Sequence, residues 1–130
     1  MNTVKIDKKN CRMIAHRGVS GLEKENTCAA FVAAGVKTYY GIETDVHVTA
    51  DGEYFIFHDD NMKRIAGVDM DIERSTAEQL RAVRMPDTDG KTFRSDLVVP
   101  ALKDYISICG KYDKTAVLEL KNPMERKHVL

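Results

Sequence analysis

The stretch Y-Y-G-I-E-T-D-V-H-V-T, residues Tyr39–Thr49, decides the fold because its side chains alternate between two chemical classes. One face is largely apolar and consists of Tyr40, Ile42, Thr44, Val46 and Val48. The other face is largely polar and consists of Gly41, Glu43, Asp45 and His47. A period of two residues is typical of a β-strand, in which successive side chains point to opposite faces of the sheet. We therefore predict a strand that packs one face on a core and carries two carboxylates on the other.

The segment after this strand begins with the tight-turn signal Asp51-Gly52 and continues into a second predicted strand, Glu53–His58. Two arrangements fit this order. The strands either form a tight antiparallel hairpin, or they run parallel with the turn in a return segment between them. Both arrangements place Asp45 close to His58, so a shared site does not depend on the choice.

The segment before the strand is typical of a strand followed by a helix. Arg12–His16 has an apolar centre and predicts a short buried strand. Asn26 or Thr27 can cap the free N–H groups of an alanine-rich helix, and Gly35 can end that helix.

The segment Asp59–Val99 has the least regular pattern. Ser75-Thr76-Ala77-Glu78 matches a capping box and predicts a short helix that continues to about Val83. Pro86–Asp96 is rich in turn-forming residues, and we predict a loop there.

The C-terminal part again contains a helix followed by a strand. Pro100 stands at the first position of a helix that Gly110 closes, and Thr115–Lys121 alternates as a strand does. Pro123 can begin a further helix. Strands interleaved with helices predict an α/β fold with a mostly parallel sheet, and we expect residues 1–130 to form one domain because the sequence has no linker or repeat.

Composition excludes several classes of function. The 130 residues are 43% hydrophobic and 31% charged, which is ordinary for a globular domain and excludes a disordered one. Lys+Arg and Asp+Glu are equal at 20 each, so no broad cationic surface would attract nucleic acid or anionic lipid. Any recognition of phosphate must then come from a few placed side chains.

Targeting signals are also not expected. Met1–Asn10 lacks the apolar run of a signal peptide, and no stretch of the sequence is apolar for long enough to span a membrane. Cys11, Cys28 and Cys109 are odd in number and do not show the C-x-x-C spacing of a zinc site. We expect three free thiols in a reducing compartment, and hence a cytoplasmic location.

Six residues whose side chains could bind a metal or transfer a proton lie at or near the C-terminal ends of predicted strands: His16, Glu43, Asp45, His58, Glu119 and Lys121. Glu43 and Asp45 are separated by roughly 7 Å of strand and can lean toward one cation. Three carboxylates suit a hard ion, Mg²⁺ or Ca²⁺, better than zinc. For an isolated E-x-D, a solvated face of an edge strand is the common alternative.

Histidine titrates near neutral pH, so His16 and His58 could act as general acid and base. Arg17 could hold a phosphate oxygen through a bidentate fork, and Lys121 could act as a point charge. Each of these residues taken alone is commonly structural or a surface charge. Asp59 or Asp60 could orient His58. We predict a peripheral position for His47.

The ordered set of motifs resembles the glycerophosphodiester phosphodiesterase family from about Met13 to Asn122. The motifs are H-R-G at His16–Gly18, E-N-T at Glu25–Thr27, E-x-D at Glu43–Asp45, H-D at His58–Asp59 and E-L-K at Glu119–Lys121. Each motif is short, whereas their order is specific. Lys24 stands where family members usually have proline before E-N-T, which affects the loop more than the chemistry.

The resemblance implies a TIM-type (β/α)₈ barrel and a phosphoric diester hydrolase of lipid and glycerol metabolism. The reaction converts a glycerophosphodiester to sn-glycerol 3-phosphate and an alcohol. The implied functional residues are the metal ligands Glu43, Asp45 and Glu119, the acid/base pair His16 and His58, and the phosphate contacts Arg17 and Lys121. The implied cofactor is a divalent cation, Mg²⁺ or Ca²⁺.

Length sets a further expectation, because an eight-stranded barrel needs about 250 residues. The sequence would supply about half a barrel, roughly the first four strands, with open edges and an apolar inner face that includes Ile14, Tyr54, Ile56 and Val117. We expect a homodimer that apposes two half-barrels. The alternative to the dimer is a compact monomer in which Pro123–Leu130 covers an edge of the sheet. Two alternative functions also remain. One is a non-catalytic half-barrel that binds metal and phosphate or only assembles with a partner, and the other is a phosphodiesterase for another lipid-derived phosphodiester.

Overall fold

The computed structural model describes Asp7 and residues 9–130. Most of the segment Met1–Asn10, for which we expected no signal peptide, lies outside the described residues. The elements are β1 (Ile14–Ala15), α1 (Cys28–Gly35), β2 (Gly41–Val48), β3 (Tyr54–Ile56), α2 (Lys63–Ala66), a 3₁₀ turn (Ile72–Arg74), α3 (Ala77–Ala82), β4 (Arg84–Pro86), β5 (Phe93–Val98), α4 (Leu102–Lys111), β6 (Thr115–Leu120) and α5 (Arg126–Val129).

Strand β2 is the centre of a four-stranded sheet. β1 and β6 pair with it in parallel, and β3 pairs with its second half in the antiparallel direction. Gly41 pairs with both β1 and β6, and Val46 with both β3 and β6, so β1 and β3 follow one another along one edge and β6 occupies the other. The predicted α/β architecture with a mostly parallel sheet is confirmed, and the Asp51-Gly52 turn forms the antiparallel hairpin of the two alternatives.

The apolar face of β2 packs on α1 and α4, as the alternation predicted. Ile42 and Val46 share a buried cluster with Phe31 and Tyr105, whose rings meet edge to face with centroids 5.1 Å apart. Ile56 belongs to the same cluster and is fully buried, so its expected place on the exposed inner face was wrong. The reason is the hairpin register, because Ile56 pairs with Val46 and directly opposed residues point to the same face.

Two local predictions in the middle segment need correction. The predicted loop Pro86–Asp96 is shorter and spans only residues 87–92, because β4 and β5 form an antiparallel hairpin around the turn at Asp89-Gly90. The capping box of α3 is formed by Thr76 and Gln79 and not by the Ser75–Glu78 pair. This hairpin, α2 and α3 enclose a second apolar cluster with Phe55, Phe57, Met62, Ile65, Ile72, Ala77, Leu80, Val83, Met85, Leu97 and Val99.

Strand β6 is exposed at all six of its residues, although it pairs along its full length with β2. In the part of the chain that the structure describes, no strand pairs with its other edge. Ile14 and Val117 are each 37% exposed, as expected for an open inner face. No helix among the described residues has the length and apolar character needed to cross a membrane.

Tyr105 fixes the register between the two strands that carry the polar residues. Its buried hydroxyl donates to the carbonyl of Ile42 at 2.5 Å and accepts from the backbone N–H of Val117 at 3.0 Å. These two groups also face each other across the β2–β6 ladder, whose outer strand is exposed. Tyr105, which lies on α4, therefore forms hydrogen bonds with both β2 and β6.

We expect Tyr105→Phe to lower the free energy of unfolding by about 1–3 kcal/mol, because it removes the two hydrogen bonds that the hydroxyl makes with β2 and β6. Urea denaturation followed by circular dichroism measures this difference. Tyr112→Phe is the matched control, since the Tyr112 hydroxyl makes no hydrogen bond to the rest of the described chain and its loss should change stability by less than about 0.5 kcal/mol. Equal stability of the two variants would contradict the bridging role.

Candidate functional site

Three carboxylates meet on the inner face of the sheet. Glu43 and Asp45 project from the same face of β2, and Glu119 pairs directly with Asp45 across the parallel ladder. One oxygen from each residue lies within 4.8 Å of one oxygen from each of the others. The three side chains expected to bind metal are therefore brought together, as direct oxygen ligands of one ion require.

Asp45 is the buried member of this cluster, with 1% of its surface exposed. Its Oδ2 accepts a hydrogen bond of 2.9 Å from the side-chain amide of Asn26. Its Oδ1 is buried without a hydrogen-bond partner, and the nearest charge is the Lys121 Nζ at 3.6 Å. A buried carboxylate oxygen that lacks a donor fits a metal ligand, and a set of three carboxylates suits a hard divalent cation.

Arg17 and Lys121 flank the carboxylates from two sides. The backbone N–H of Arg17 donates to Glu43 Oε2 at 3.0 Å, and its guanidinium Nε lies 3.5 Å from Asp45 Oδ2. Lys121 Nζ lies 2.9 Å from Glu119 Oε1. The hydrogen bond and charge of Lys121 lower the pKa of Glu119, so this exposed side chain stays a carboxylate. The two cations expected to contact phosphate thus lie within the same cluster.

The H-R-G motif makes the turn that brings Arg17 to this position. Arg17 and Gly18 both adopt positive φ, at 55° and 76°. A Cβ atom at Gly18 would lie 2.7 Å from the backbone of Ala30, so only glycine fits between the turn and α1.

Asn26 has a role that the sequence did not indicate. Thr27, and not Asn26, caps α1 by accepting from the N–H of Ala30. The buried Asn26 amide donates to Asp45 and accepts from the Thr44 hydroxyl at 2.8 Å. It is therefore a positioning residue for Asp45, and its place in a polar motif beside a buried strand was the available signal.

His16 and His58 occupy different environments. The His16 side chain is 69% exposed, and its Nε2 lies 3.9 Å from Glu43 Oε2. His58 is half-buried, and its Nδ1 lies 2.7 Å from Asp59 Oδ1. The hairpin returns the chain beside the carboxylates, because the N–H of Phe57 bonds to the carbonyl of Asp45 at 3.1 Å.

The protonation of Asp59 determines which nitrogen of His58 carries hydrogen. Hydrogen bonds from Arg64 lower the pKa of Asp59 to about 2. A carboxylate can only accept, so the shared hydrogen belongs to His58 Nδ1, and Nε2 is left to exchange a proton. The suggestion that Asp59 orients His58 agrees with this contact.

His47 is buried beside the hairpin, and its side-chain contact among the described residues is with a backbone carbonyl and not with the three carboxylates. It is 1% exposed, and its Nε2 lies 3.4 Å from the carbonyl oxygen of His58. Burial lowers the pKa of His47, which favours a neutral ring. His47 lies beyond Asp45 on the same strand face, as expected, and contacts the segment that follows β3.

Asn122 and Arg64 are two further residues that sequence analysis missed. The Asn122 amide pairs with both the N–H and the C=O of Val48, each at 3.0 Å, and so ties the end of β6 to the end of β2. Arg64 contacts Asp59 and Glu25. No periodic pattern marks either residue, because each acts through a contact distant in sequence.

Known proteins resemble this chain in sequence and in structure. A glycerophosphodiester phosphodiesterase of Caldanaerobacter subterraneus is 31% identical over 110 residues, which cover 85% of this chain and 45% of that protein. An Oleispira antarctica phosphodiesterase, solved in complex with its product sn-glycerol-3-phosphate, is 30% identical with a TM-score of 0.74 and is matched over 85% of this chain and 44% of that one. A Thermotoga maritima glycerophosphodiester phosphodiesterase is 30% identical with a TM-score of 0.71, over 87% and 45%.

The chain spans about half the length of these relatives, and its open, mostly parallel sheet corresponds to about half of their TIM barrel. Residues 16–130 match the Glycerophosphoryl diester phosphodiesterase family, a span that begins at the H-R-G motif and includes every candidate site residue. The chain therefore belongs to the Glycerophosphoryl diester phosphodiesterase family.

Proposed function

We propose that this chain supplies the metal- and phosphate-binding side of a site that hydrolyses glycerophosphodiesters to sn-glycerol 3-phosphate and an alcohol. The observation that carries the proposal is the convergence of Glu43, Asp45 and Glu119 between two basic side chains and two histidines. Family membership and the product held by the Oleispira antarctica relative support the choice of substrate.

The three carboxylates would hold Mg²⁺ or Ca²⁺. When bound, a cation of this kind stabilises negative charge that develops on phosphate oxygens. The unpartnered Asp45 Oδ1 and the proximity of the other two oxygens support this assignment. Lys121 and Arg17 supply positive charge beside the carboxylates and keep them close together.

Arg17 and Lys121 would also bind the phosphate of the substrate. The Arg17 guanidinium has five N–H donors, and among the described residues only its Nη1 makes a hydrogen bond, to Glu25 at 3.2 Å, so donors remain for a phosphate oxygen. The Lys121 ammonium has three donors, and its two carboxylate neighbours leave one for substrate. Charge-assisted bonds of this kind fix the diester and favour the more negative transition state.

His16 and His58 would transfer the protons of the reaction. One ring accepts a proton from the attacking group as its oxygen bonds to phosphorus, and the other gives a proton to the alcohol oxygen as its bond to phosphorus breaks. His58 Nε2 is suited to this exchange because Asp59 fixes Nδ1 as the protonated nitrogen.

A non-catalytic half-barrel is the second candidate function, and the exposure of β6 favours it. Both faces of this strand carry exposed apolar side chains, with Val117 on one side and Leu118 and Leu120 on the other. Such a chain would bind metal and phosphate, or assemble with a partner, without turnover. Release of glycerol 3-phosphate from glycerophosphocholine by the purified protein, in the presence and absence of Mg²⁺, separates the two candidates.

The same exposed surface supports a homodimer in which two copies appose their open sheets. A strand with an unpaired edge and apolar faces favours pairing with another chain, and closed two-fold dimers are the commonest assemblies.

We place the protein in the cytoplasm, because Cys11, Cys28 and Cys109 are free thiols.

The metal assignment predicts that Glu43→Gln and Asp45→Asn each weaken binding of Mg²⁺ or Ca²⁺ by at least about tenfold, since each removes a charged ligand. Isothermal titration calorimetry of chelator-treated protein measures the affinity without relying on activity. Glu53→Gln is the control, because this exposed carboxylate lies in the β2–β3 turn. Equal affinities in all three variants would exclude this site, and chelation should abolish glycerol 3-phosphate release.

The acid/base assignment predicts a bell-shaped dependence of rate on pH. We expect His16→Ala and His58→Ala each to remove one limb of the profile and to lower kcat by about 10²–10⁴-fold. His128→Ala, near the C-terminus, should leave the profile unchanged. Unaltered profiles in both of the first two variants would refute proton transfer by these residues.

The assembly proposal predicts a dimeric mass by light scattering at micromolar protein concentration. Val117→Lys should shift the mass to that of a monomer, because it places a charge on the open inner face that the two copies would appose. Val36→Lys, which alters a more exposed valine at the end of α1, should remain dimeric. A monomeric mass for the unaltered protein would refute the dimer and leave the chemical proposal untouched.

A further inference from the structure

Arg64 connects two loops of the site through two carboxylates. Its Nε lies 2.7 Å from Asp59 Oδ2, and its Nη2 lies 3.0 Å from Asp59 Oδ1, which is a bidentate contact. The same Nη2 lies 2.8 Å from Glu25 Oε1. Asp59 follows β3 and Glu25 precedes α1, so one guanidinium joins two segments that are distant in sequence, and Arg64 itself is 39 residues from Glu25.

Each of these carboxylates in turn holds a side chain of the candidate site. Asp59 accepts the Nδ1–H of His58 at 2.7 Å, and Glu25 accepts from Arg17 Nη1 at 3.2 Å. Arg64 thus lies at the junction of two short chains of contacts, one ending at His58 and the other at Arg17. It contacts none of the three carboxylates of the metal cluster.

We propose that Arg64 is a positioning residue that orients the His58 ring and the Arg17 guanidinium by holding the Asp59 and Glu25 carboxylates in place. Only the roles of His58 in proton transfer and of Arg17 in phosphate binding rest on the proposed function. The orientation of His58 through Asp59 does not depend on any activity.

Geometry and charge explain why arginine is required at this position. A planar guanidinium can present two donors to Asp59 and another to Glu25 at once, whereas the compact ammonium of lysine cannot span both carboxylates in the same fork. Burial acts to raise the pKa of Glu25, but Arg64 and then Arg17 outweigh it and leave that pKa below its ordinary value. Both carboxylates therefore remain acceptors.

The exposure of Arg64 separates positioning from simple stabilisation. Half of its side chain is exposed, at 50%, and ion pairs of exposed side chains contribute little to folding stability. Loss of the guanidinium should therefore leave the fold nearly as stable as before. The Asp59 carboxylate would lose its fixed orientation, and with it the preference of His58 for hydrogen on Nδ1.

The test measures the tautomer of His58 by ¹⁵N NMR of the imidazole nitrogens in the complete chain, with Arg64→Gln, Arg64→Lys and the control Lys63→Gln. Lys63 is the exposed neighbour of Arg64 on the same helix. We expect Nδ1–H to dominate in the unaltered protein and in Lys63→Gln, and to fall in both Arg64 variants while the thermal midpoint changes little. An unchanged tautomer in folded Arg64→Gln would overturn the proposal. If that variant does not fold, Arg64→Lys decides in the same way.

Kinetics provide the second readout and separate this proposal from the function itself. In an active protein, Arg64→Gln should lower kcat by about 10–100-fold through His58 and also raise KM through Arg17. Combining it with Asp59→Asn should lower kcat little further, because both changes act on kcat through His58. A change in KM alone would contradict positioning of His58. Absence of glycerol 3-phosphate release together with the expected tautomer shift would refute the proposed function and leave the role of Arg64 in place.

Discussion

The burial of the Asp45 carboxylate is the constraint on which the arrangement of the site depends. Removing a carboxylate from water is costly unless other groups supply hydrogen bonds or opposite charge. Here Asn26 supplies a hydrogen bond to one oxygen, and Arg17 and Lys121 supply charge. Asn26 and Arg17 lie in the loop after β1, and Lys121 follows β6. The buried Asp45 on β2 therefore requires both neighbouring segments to lie close to it.

The sheet makes this convergence possible because β1 and β6 both run parallel to β2. Parallel strands place their C-terminal ends at one edge, and residues that follow them meet there. His16 and Lys121 follow β1 and β6 in this way. His58 reaches the same region by a different route, because its strand runs antiparallel and returns the chain beside Asp45. The candidate site therefore lies where the C-terminal ends of the parallel strands meet the segment that follows the β2–β3 hairpin.

Sequence alone predicted the parts of the fold that repeat at a fixed period. The alternation of Tyr39–Thr49 placed Glu43 and Asp45 on one face and Ile42 and Val46 on the other, and the structure agrees. What depends on the pairing of distant segments was not predictable in the same way. Ile56 was placed on the wrong face because the hairpin register was open, and a shift of one residue reverses every side chain.

The missed elements differ in whether a signal was present. Asp89-Gly90 is the same turn signal that correctly marked Asp51-Gly52, so the β4–β5 hairpin could have been found. Arg64 had no such signal, since an arginine on a four-residue helix is ordinarily a solvated charge. Its contacts with Asp59 and Glu25 arise only when the loops after β1 and β3 meet.

The cations of the site have two sets of possible partners, and this explains how the site can be stable and still open to ligands. Arg17 and Lys121 now neutralise a cluster of three carboxylates that would otherwise repel one another. A divalent cation placed among the same carboxylates would take over that neutralisation, and the two basic side chains could then turn their free donors to a phosphate. Because the attraction is shared in this way, a cation bound by these carboxylates would favour binding of an anion by the same basic side chains, and the reverse.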